Sequence, residues 1–415
     1  MSLKENRSCP SQDKASIELS NKHSSASVGE ANSTLTMTPA EERKLVRKID
    51  LHLMPLMFVL YLFQYLDKTS LGYTAIMGIL QDANLSGNQY SWVSSFFYVG
   101  FLIASPLSSI LLVKFPVAKV VVLTVLIWAG IQMVMAAGKS FASLAVLRIL
   151  LGAFEAAIGP GFTIITSTWY KPSEHALRHG LWYGGASVAY IIGGIMAYGI
   201  SHIDSAIKSW QFGSVIIKDF GYSVLQTQLL SMSVGAFLLF FVILTVGISM
   251  TLKNARCLSI AILNFISLAG VLMVKLLPES NKIARLAGIW LVCAQASAFP
   301  TTLSLVSSNI TGHTKKATVN GMLFVGFCVG YIIGPLTFIA QEAPGYKTAF
   351  NIMVACYVLN IVIVTSMRQI MARWNKQRNQ QHGAEAVSDG HILEHAGQAD
   401  LDETDWENQE IRYSL

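Results

Sequence analysis

Charge is what this sequence has least of. Asp, Glu, Lys and Arg make up 13% of its 415 residues, whereas 53% are hydrophobic and the mean hydropathy is +0.48. A soluble globular chain carries roughly 25% charged residues, so an ordinary water-soluble domain is excluded and a polytopic helical membrane protein is expected. Cysteine is scarce too. Cys9 lies in the polar N-terminal tail, and Cys257, Cys293, Cys328 and Cys356 lie within or at the ends of apolar runs, in no disulfide framework or zinc spacing. The sequence also lacks a phosphate-binding or dinucleotide glycine loop and a hydrolase nucleophile elbow. No enzymatic activity, metal or cofactor is therefore expected. Residues 1–40 contain no short apolar core before a cleavage site, so the first span is expected to act as its own insertion signal. The net charge of +6 says little about nucleic acid, because the basic residues sit mostly in short loops beside apolar runs, where they set orientation; the lipid bilayer is the expected partner and nucleic acid is not.

With about 20 apolar residues per crossing, the sequence predicts ten full spans. They lie near 51–73, 91–112, 117–137, 144–168, 180–201, 229–251, 257–277, 284–307, 318–340 and 348–370. Five fall in an N-terminal half, 41–203, and five in a C-terminal half, 229–375. Residues 1–40 and 376–415 read as disordered tails, poor in residues that can be buried. In the second tail Trp406, Ile411 and Tyr413 are available for a docking contact. Basic residues cluster before the first span (Arg43, Lys44, Arg47, Lys48) and after every second one: Lys114 and Lys119, Lys171 and Arg178, Lys253 and Arg256, Lys315 and Lys316, and Arg368 to Arg378. The positive-inside rule then puts both termini in the cytoplasm, although Lys275, Lys282 and Arg285 cluster on the other side. The segment 204–228 holds only a short apolar run, Phe212 to Ile217, and is expected to lie outside or to re-enter partway. Asn84-Leu85-Ser86 is a glycosylation triplet too close to the membrane to be an expected acceptor.

The stretch organising the rest is Leu144 to Pro172, an apolar span with an arginine and a carboxylate inside it. Arg148 and Glu155 are seven residues apart, hence on one helix face and roughly 10 Å apart along the axis, with Gly152 and Gly159 on the same face. Ionisable groups at membrane depth need a partner or a water-filled cavity. Two readings stay open: a transport site, with Glu155 as proton carrier and Arg148 as a planar fork for a substrate carboxylate, or a static Arg148–Glu155 clasp. Asp67 and Lys68 add two charges to the first span. Adjacent helical residues point about 100° apart, so both cannot face one cavity, and one is expected to pair with a neighbouring helix.

Glycine and proline supply packing or hinge candidates. Gly159-Pro160-Gly161 breaks the helical ladder in mid-membrane, which suits a cavity-lining position, and Gly334-Pro335 is read as a similar break in the other half. Gly326, Gly330 and Gly334 recur every fourth residue, a spacing that lets helix backbones approach. Tyr61, Tyr65, Trp92, Tyr98, Tyr183, Tyr190, Trp290 and Tyr331 are candidate substrate donors, with interface anchoring or core packing as the alternative. His175 and His179 flank the loop after the fourth span and are expected to be solvated.

FQYLDKTSLGYTAIMG, NQYSWVSSFFYVGFL, LRILLGAFEAAIGPGF with TSTWYKPSE, SSNITGHTKKATVN, FVGFCVGYIIGPLTF, QEAPGYKTAF and the closing DETDWENQEIRYSL together resemble the fungal anion:cation symporter branch of the major facilitator superfamily, the allantoate permease group. The resemblance covers nearly all of 41–415. It implies an all-α major facilitator-like bundle and proton-driven uptake of an organic anion, such as allantoate, nicotinate or a related vitamin, across the plasma membrane. It also marks Asp67, Lys68, Arg148, Gly152, Glu155, Gly159 and Pro160 as motif positions. The candidate substrate contacts are Arg148, Lys68 and Tyr183, and the candidate proton-coupling residues are Glu155 and Asp67. Gly152, Gly159, Pro160, Gly161, Gly330, Gly334 and Pro335 are the packing or hinge candidates. A monomer is expected.

Two departures from that branch stand out. The superfamily's loop between helices two and three survives only as SSILLVKFPVAKV, without its acidic residue. More serious, KSWQ resembles the entry to a sixth helix, whereas the FGSVIIKDFGYS that follows it resembles the outer end of a seventh. Helix six, the central loop and part of helix seven are missing by this comparison, leaving ten spans instead of twelve. Losing one inward and one outward crossing together preserves the loop-charge pattern. Transport is expected to be impaired. The competing functions are a non-transporting nutrient receptor or regulatory membrane protein, and a ten-span exporter built from two five-helix repeats.

Overall fold

The computed structural model describes residues 38–74, 83, 85, 89–135, 137–201, 224–252, 254–278, 280–338, 342, 345–382 and 412–415. Outside them fall residues 1–37, most of the 204–228 segment, Asn84, and 383–411 with Trp406 and Ile411. The described residues form twelve helices: α1 Pro39–Thr74, α2 Gln89–Lys114, α3 Val117–Met135, α4 Phe141–Glu155, α5 Ile158–Trp169, α6 His175–Ser201, α7 Val224–Thr251, α8 Arg256–Leu276, α9 Lys282–Ser297, α10 Phe299–Asn309, α11 His313–Leu336 and α12 Lys347–His382. Together they supply ten helical runs long and apolar enough to cross a membrane, with α4–α5 and α9–α10 each counting as one run. α12 continues past 376 to His382, so the start of the expected tail is helix.

Two compact units are delimited, residues 1–51 and 52–415. In the first, Thr38 caps α1. Its hydroxyl accepts the Glu41 N–H at 3.3 Å, while the Glu41 carboxylate accepts the Thr38 N–H at 2.9 Å, a reciprocal capping box.

In the second unit, helices meet where side chains are absent. A Cβ on Gly152 of α4 would stand 1.8 Å from the Phe97 carbonyl oxygen of α2, and one on Gly100 of α2 would stand 1.9 Å from that of Ile149. Gly270 of α8 and Gly288 of α9 face each other in the same way, each hypothetical Cβ falling within 3.0 Å of the other's carbonyl oxygen. Such backbone-to-backbone approach drives association where lipid removes the hydrophobic incentive. Leu56, Ile103, Met133 and Ile283 are each more than 70% exposed, a pattern that suits acyl chains rather than water.

Among the described residues, two spans are broken in mid-course. α4 ends at Glu155 and α5 begins at Ile158, so Pro160 and Gly161 sit in the first turn of α5. A proline cannot bond to the carbonyl four residues back. The freed Ala156 carbonyl instead accepts the Ser108 hydroxyl of α2 at 3.4 Å. The counterpart in the later spans is the junction of α9 and α10 at Ala298, where Pro300 stands in the first turn. This corrects the expectation for Gly334-Pro335. Pro335 is the penultimate residue of α11 and ends that helix rather than interrupting it.

Glu342 stands before α12 and accepts the Thr348 N–H at 2.7 Å and its hydroxyl at 2.5 Å. These bonds hold its carboxyl below the ordinary value of 4.5. Since the folded pKa is depressed, the stabilisation is complete above the unfolded value and disappears as pH falls through the folded one. The protection of the Thr348 amide, measured as its exchange rate relative to the intrinsic rate at the same pH, is accordingly expected to fall on acidification below about pH 4, and to be low at every pH in Glu342→Ala. Protection indifferent to both changes would remove this cap from the account.

Candidate functional site

Buried charge gathers where α1 meets α4. Glu155, at the last turn of α4, is fully buried, and its Oε1 accepts Gln64 Nε2 at 2.6 Å and pairs with Lys68 Nζ at 2.6 Å. Gln64 and Lys68 are four residues apart on α1 and so share one face. Lys68 also lies over the rings of Tyr65, 5.1 Å from its centroid, and Phe97, at 5.7 Å. Asp67, one residue earlier, points elsewhere. It is buried beside Trp128 and Gln132 of α3, within electrostatic reach of Arg148.

Arg148 is buried in α4 on the side facing Asp67 and Tyr90. The ion-pair partner of Glu155 is therefore Lys68 and not Arg148, which removes the Arg148–Glu155 clasp as a description of this conformation. Seven residues set the two groups roughly 10 Å apart along the axis, whereas residue 68 crosses α4 at the level of Glu155.

Several buried polar atoms here find no hydrogen-bond partner among the described residues: Glu155 Oε2, Gln64 Oε1 and Arg148 Nε. Buried polar atoms are rarely left so, and each calls for water or a ligand. All of these side chains are buried, none of them more than 5% exposed.

A continuous set of aromatic rings surrounds the cluster. Tyr183 of α6 is buried and touches Tyr61 at 5.6 Å and Tyr65 at 6.1 Å on α1, and Phe299 of α10 at 5.8 Å. Tyr98 of α2 stacks on Tyr331 of α11 at 4.5 Å, and Phe327 joins Phe299 at 5.6 Å. Rings from the first five spans and from the last five thus meet around Lys68. Gly159 is pressed against the Phe324 ring of α11, where a Cβ would come within 2.5 Å. A Cβ on Gly161 would meet Val121 of α3 at 2.8 Å.

Gly330 and Gly334 behave otherwise. A Cβ at either position, or at Gly326, would meet no described atom within 4 Å, so their regular spacing marks no helix contact here. His175 and His179 also depart from expectation, being 1% and 0% exposed. Gln64 escaped the sequence reading although its i, i+4 relation to Lys68 was visible. Phe299 escaped it because nothing local to α10 names its partner.

A cavity of about 1000 Å³ lies among α8, α10, α11 and α12, lined by Asn264, Thr302, Leu323, Phe327, Met367 and Tyr413 among others. Lys315 lines it, but Lys68, Asp67, Arg148 and Glu155 do not.

Comparison with known proteins agrees with this architecture. Residues 57–217 match the family model of the Major Facilitator Superfamily. An uncharacterized transporter of Schizosaccharomyces pombe, C417.10, is 30% identical over 468 aligned positions, covering 91% of this chain and 90% of that protein. The allantoate permease of Saccharomyces cerevisiae is 30% identical over 482 positions, covering 92% and 88%. Both alignments are longer than the 415 residues of this chain, so these relatives carry segments that it lacks. The fold resembles the human organic anion transporter MFSD10 (TETRAN) with a TM-score of 0.57 at 13% identity, covering 79% of this chain and all of that one. With ten spans, two broken helices and 30% identity sustained along nine-tenths of a transporter's length, the chain belongs to the Major Facilitator Superfamily, among its allantoate permease-like members.

Proposed function

We propose that the chain is a secondary carrier that takes up a small organic anion together with a proton across the plasma membrane, with both termini in the cytoplasm and with activity weakened by its missing segments. The observation that carries this reading is the Glu155–Lys68–Gln64 cluster, buried among apolar spans, with polar atoms left unpaired and aromatic rings from both sets of spans around it. In this reading Glu155 and Asp67 exchange the proton. Lys68 and Arg148 meet the anion, and Tyr183 closes the site. An anion arriving at Lys68 competes with Glu155 for the ammonium, so protonation of Glu155 frees Lys68 for it; this couples the two ligands through one pair. Rocking of one set of spans against the other would open the cluster to each side in turn.

The test is accumulation of labelled allantoate, nicotinate, pantothenate and biotin at external pH 5 and pH 7 in a strain lacking its own carriers. One of these anions is expected to accumulate several-fold faster at the lower pH. A second reading, a receptor that binds without transporting, is favoured by the segments that the relatives possess and this chain lacks. Saturable binding with no accumulation at either pH selects it.

A further inference from the structure

The last described residues, Arg412 to Leu415, do not hang free of the bundle. Tyr413 is 6% exposed, and both of its backbone groups are held by one side chain: its N–H donates to Asn375 Oδ1 and its carbonyl accepts Asn375 Nδ2, each at 2.8 Å. Ser414 is held in the same way from the opposite side. Its N–H donates to Asn309 Oδ1 at 2.6 Å and its carbonyl accepts Asn309 Nδ2 at 2.9 Å. In an extended chain, the N–H and carbonyl of one residue point to one side and those of the next to the other. Asn375 of α12 and Asn309 at the end of α10 therefore grip consecutive residues of a segment threaded between them.

Side chains add selectivity. The Tyr413 ring lies 4.8 Å from the Arg378 guanidinium and 5.6 Å from Trp374, and its hydroxyl accepts Arg378 Nη2 at 3.2 Å. Leu415 packs on the apolar cluster that includes Cys257, Ile260 and Met371.

The same end carries a second set of bonds that reaches the earlier spans. The Leu415 carbonyl accepts the backbone N–H of Arg256, the first residue of α8, at 2.8 Å. The Arg256 guanidinium donates to Ser308 Oγ at the end of α10 and to the Pro172 carbonyl in the loop before α6, both at 2.7 Å. Ser308 in turn lies 3.3 Å from His175 Nδ1.

We propose that Asn309, Asn375, Arg378 and Trp374 form a peptide-binding site whose ligand is the chain's own Tyr413-Ser414-Leu415, and that its occupancy latches this end of the bundle shut through Arg256 and Pro172. The ligand class is an extended segment read by its backbone at two successive residues, with an aromatic side chain at the first and an aliphatic one at the third. The inference does not rest on which substrate, if any, the protein carries.

Cys257 adjoins Arg256, is 1% exposed and shares its apolar cluster with Tyr413 and Leu415, so it reports the latch. Purified protein retaining Cys257, with Cys9, Cys293, Cys328 and Cys356 replaced by Ser, is treated with a water-soluble maleimide. Truncation after Ile411 is expected to speed labelling of Cys257 at least tenfold. Added peptide NQEIRYSL should restore protection, whereas the same peptide with Ala for Tyr413 should not. Asn309→Ala/Asn375→Ala in the full chain should label as fast as the truncated protein, and the peptide should not protect it. Labelling at the intact rate in the truncated or the doubly substituted protein, or fast labelling that NQEIRYSL cannot slow in the truncated protein, overturns the proposal.

Discussion

Glu155→Gln is expected to destabilise the protein by about 3 kcal/mol or more, because it leaves the Lys68 ammonium buried without its counter-ion. Lys68 is 14% exposed and Glu155 fully buried, with 2.6 Å between them, so water screens the pair poorly. Removing both charges should cost far less than removing one, since replacing a whole buried pair by neutral groups of similar shape is often nearly neutral. Lys68→Met/Glu155→Gln is therefore expected to melt close to the wild type, with either single substitution well below it. Thermal unfolding in detergent, followed by tryptophan fluorescence, measures all four proteins. Additive losses in the double variant would mean that Lys68 and Glu155 act separately, and the coupled cluster would have to be abandoned. The same four proteins bear on transport. If Glu155 carries the proton and Lys68 meets the anion, the double variant folds but takes up no anion at either external pH.

Gly152→Ala should be costly out of proportion to its size. The new methyl would sit 1.8 Å from the Phe97 carbonyl oxygen, and that obstacle is backbone, so neither helix can yield without losing the reciprocal contact at Gly100 and Ile149. Overpacking of this kind costs about 1–3 kcal/mol when side chains can adjust, and the upper end or beyond is expected here. Gly152→Leu is not expected to yield monodisperse protein. Gly330→Ala is the contrast. Its methyl would touch no described atom, and Ala in a helix interior is favoured over Gly by about 0.5–1 kcal/mol, so that variant should be neutral or slightly more stable. Size-exclusion profiles and melting temperatures of the two alanine variants decide the matter. Equal stability would show that α2 and α4 do not depend on this approach.

The contrast between these glycines shows where sequence reading stops. Gly326, Gly330 and Gly334 have a regular four-residue spacing, Gly100 and Gly152 have none, yet the second pair makes the close contact. Spacing reports which residues share a face of one helix. It carries no information about what lies opposite. The same holds for charge. The face shared by Arg148 and Glu155 was legible, but the partner of Glu155 came from α1. A break near Pro160 was visible because a proline acts on its own helix, whereas Gly334-Pro335 looked equivalent and merely ends α11. The buried His175 and His179 were misjudged for a related reason: a loop-proximal position suggests water only until the ends of α8 and α10 are packed over it.

Composition and hydropathy by themselves determined that this chain is a membrane protein with ten helical crossings, because the free energy of moving side chains from water into lipid is set segment by segment along the sequence. Motif likeness determined its family for the same reason, being a property of residues in order. Which buried charges pair, which glycines bear contacts and where Tyr413 docks were decided only by the tertiary structure. Those are relations between helices distant in the chain, set by how whole surfaces fit, and no single segment contains them.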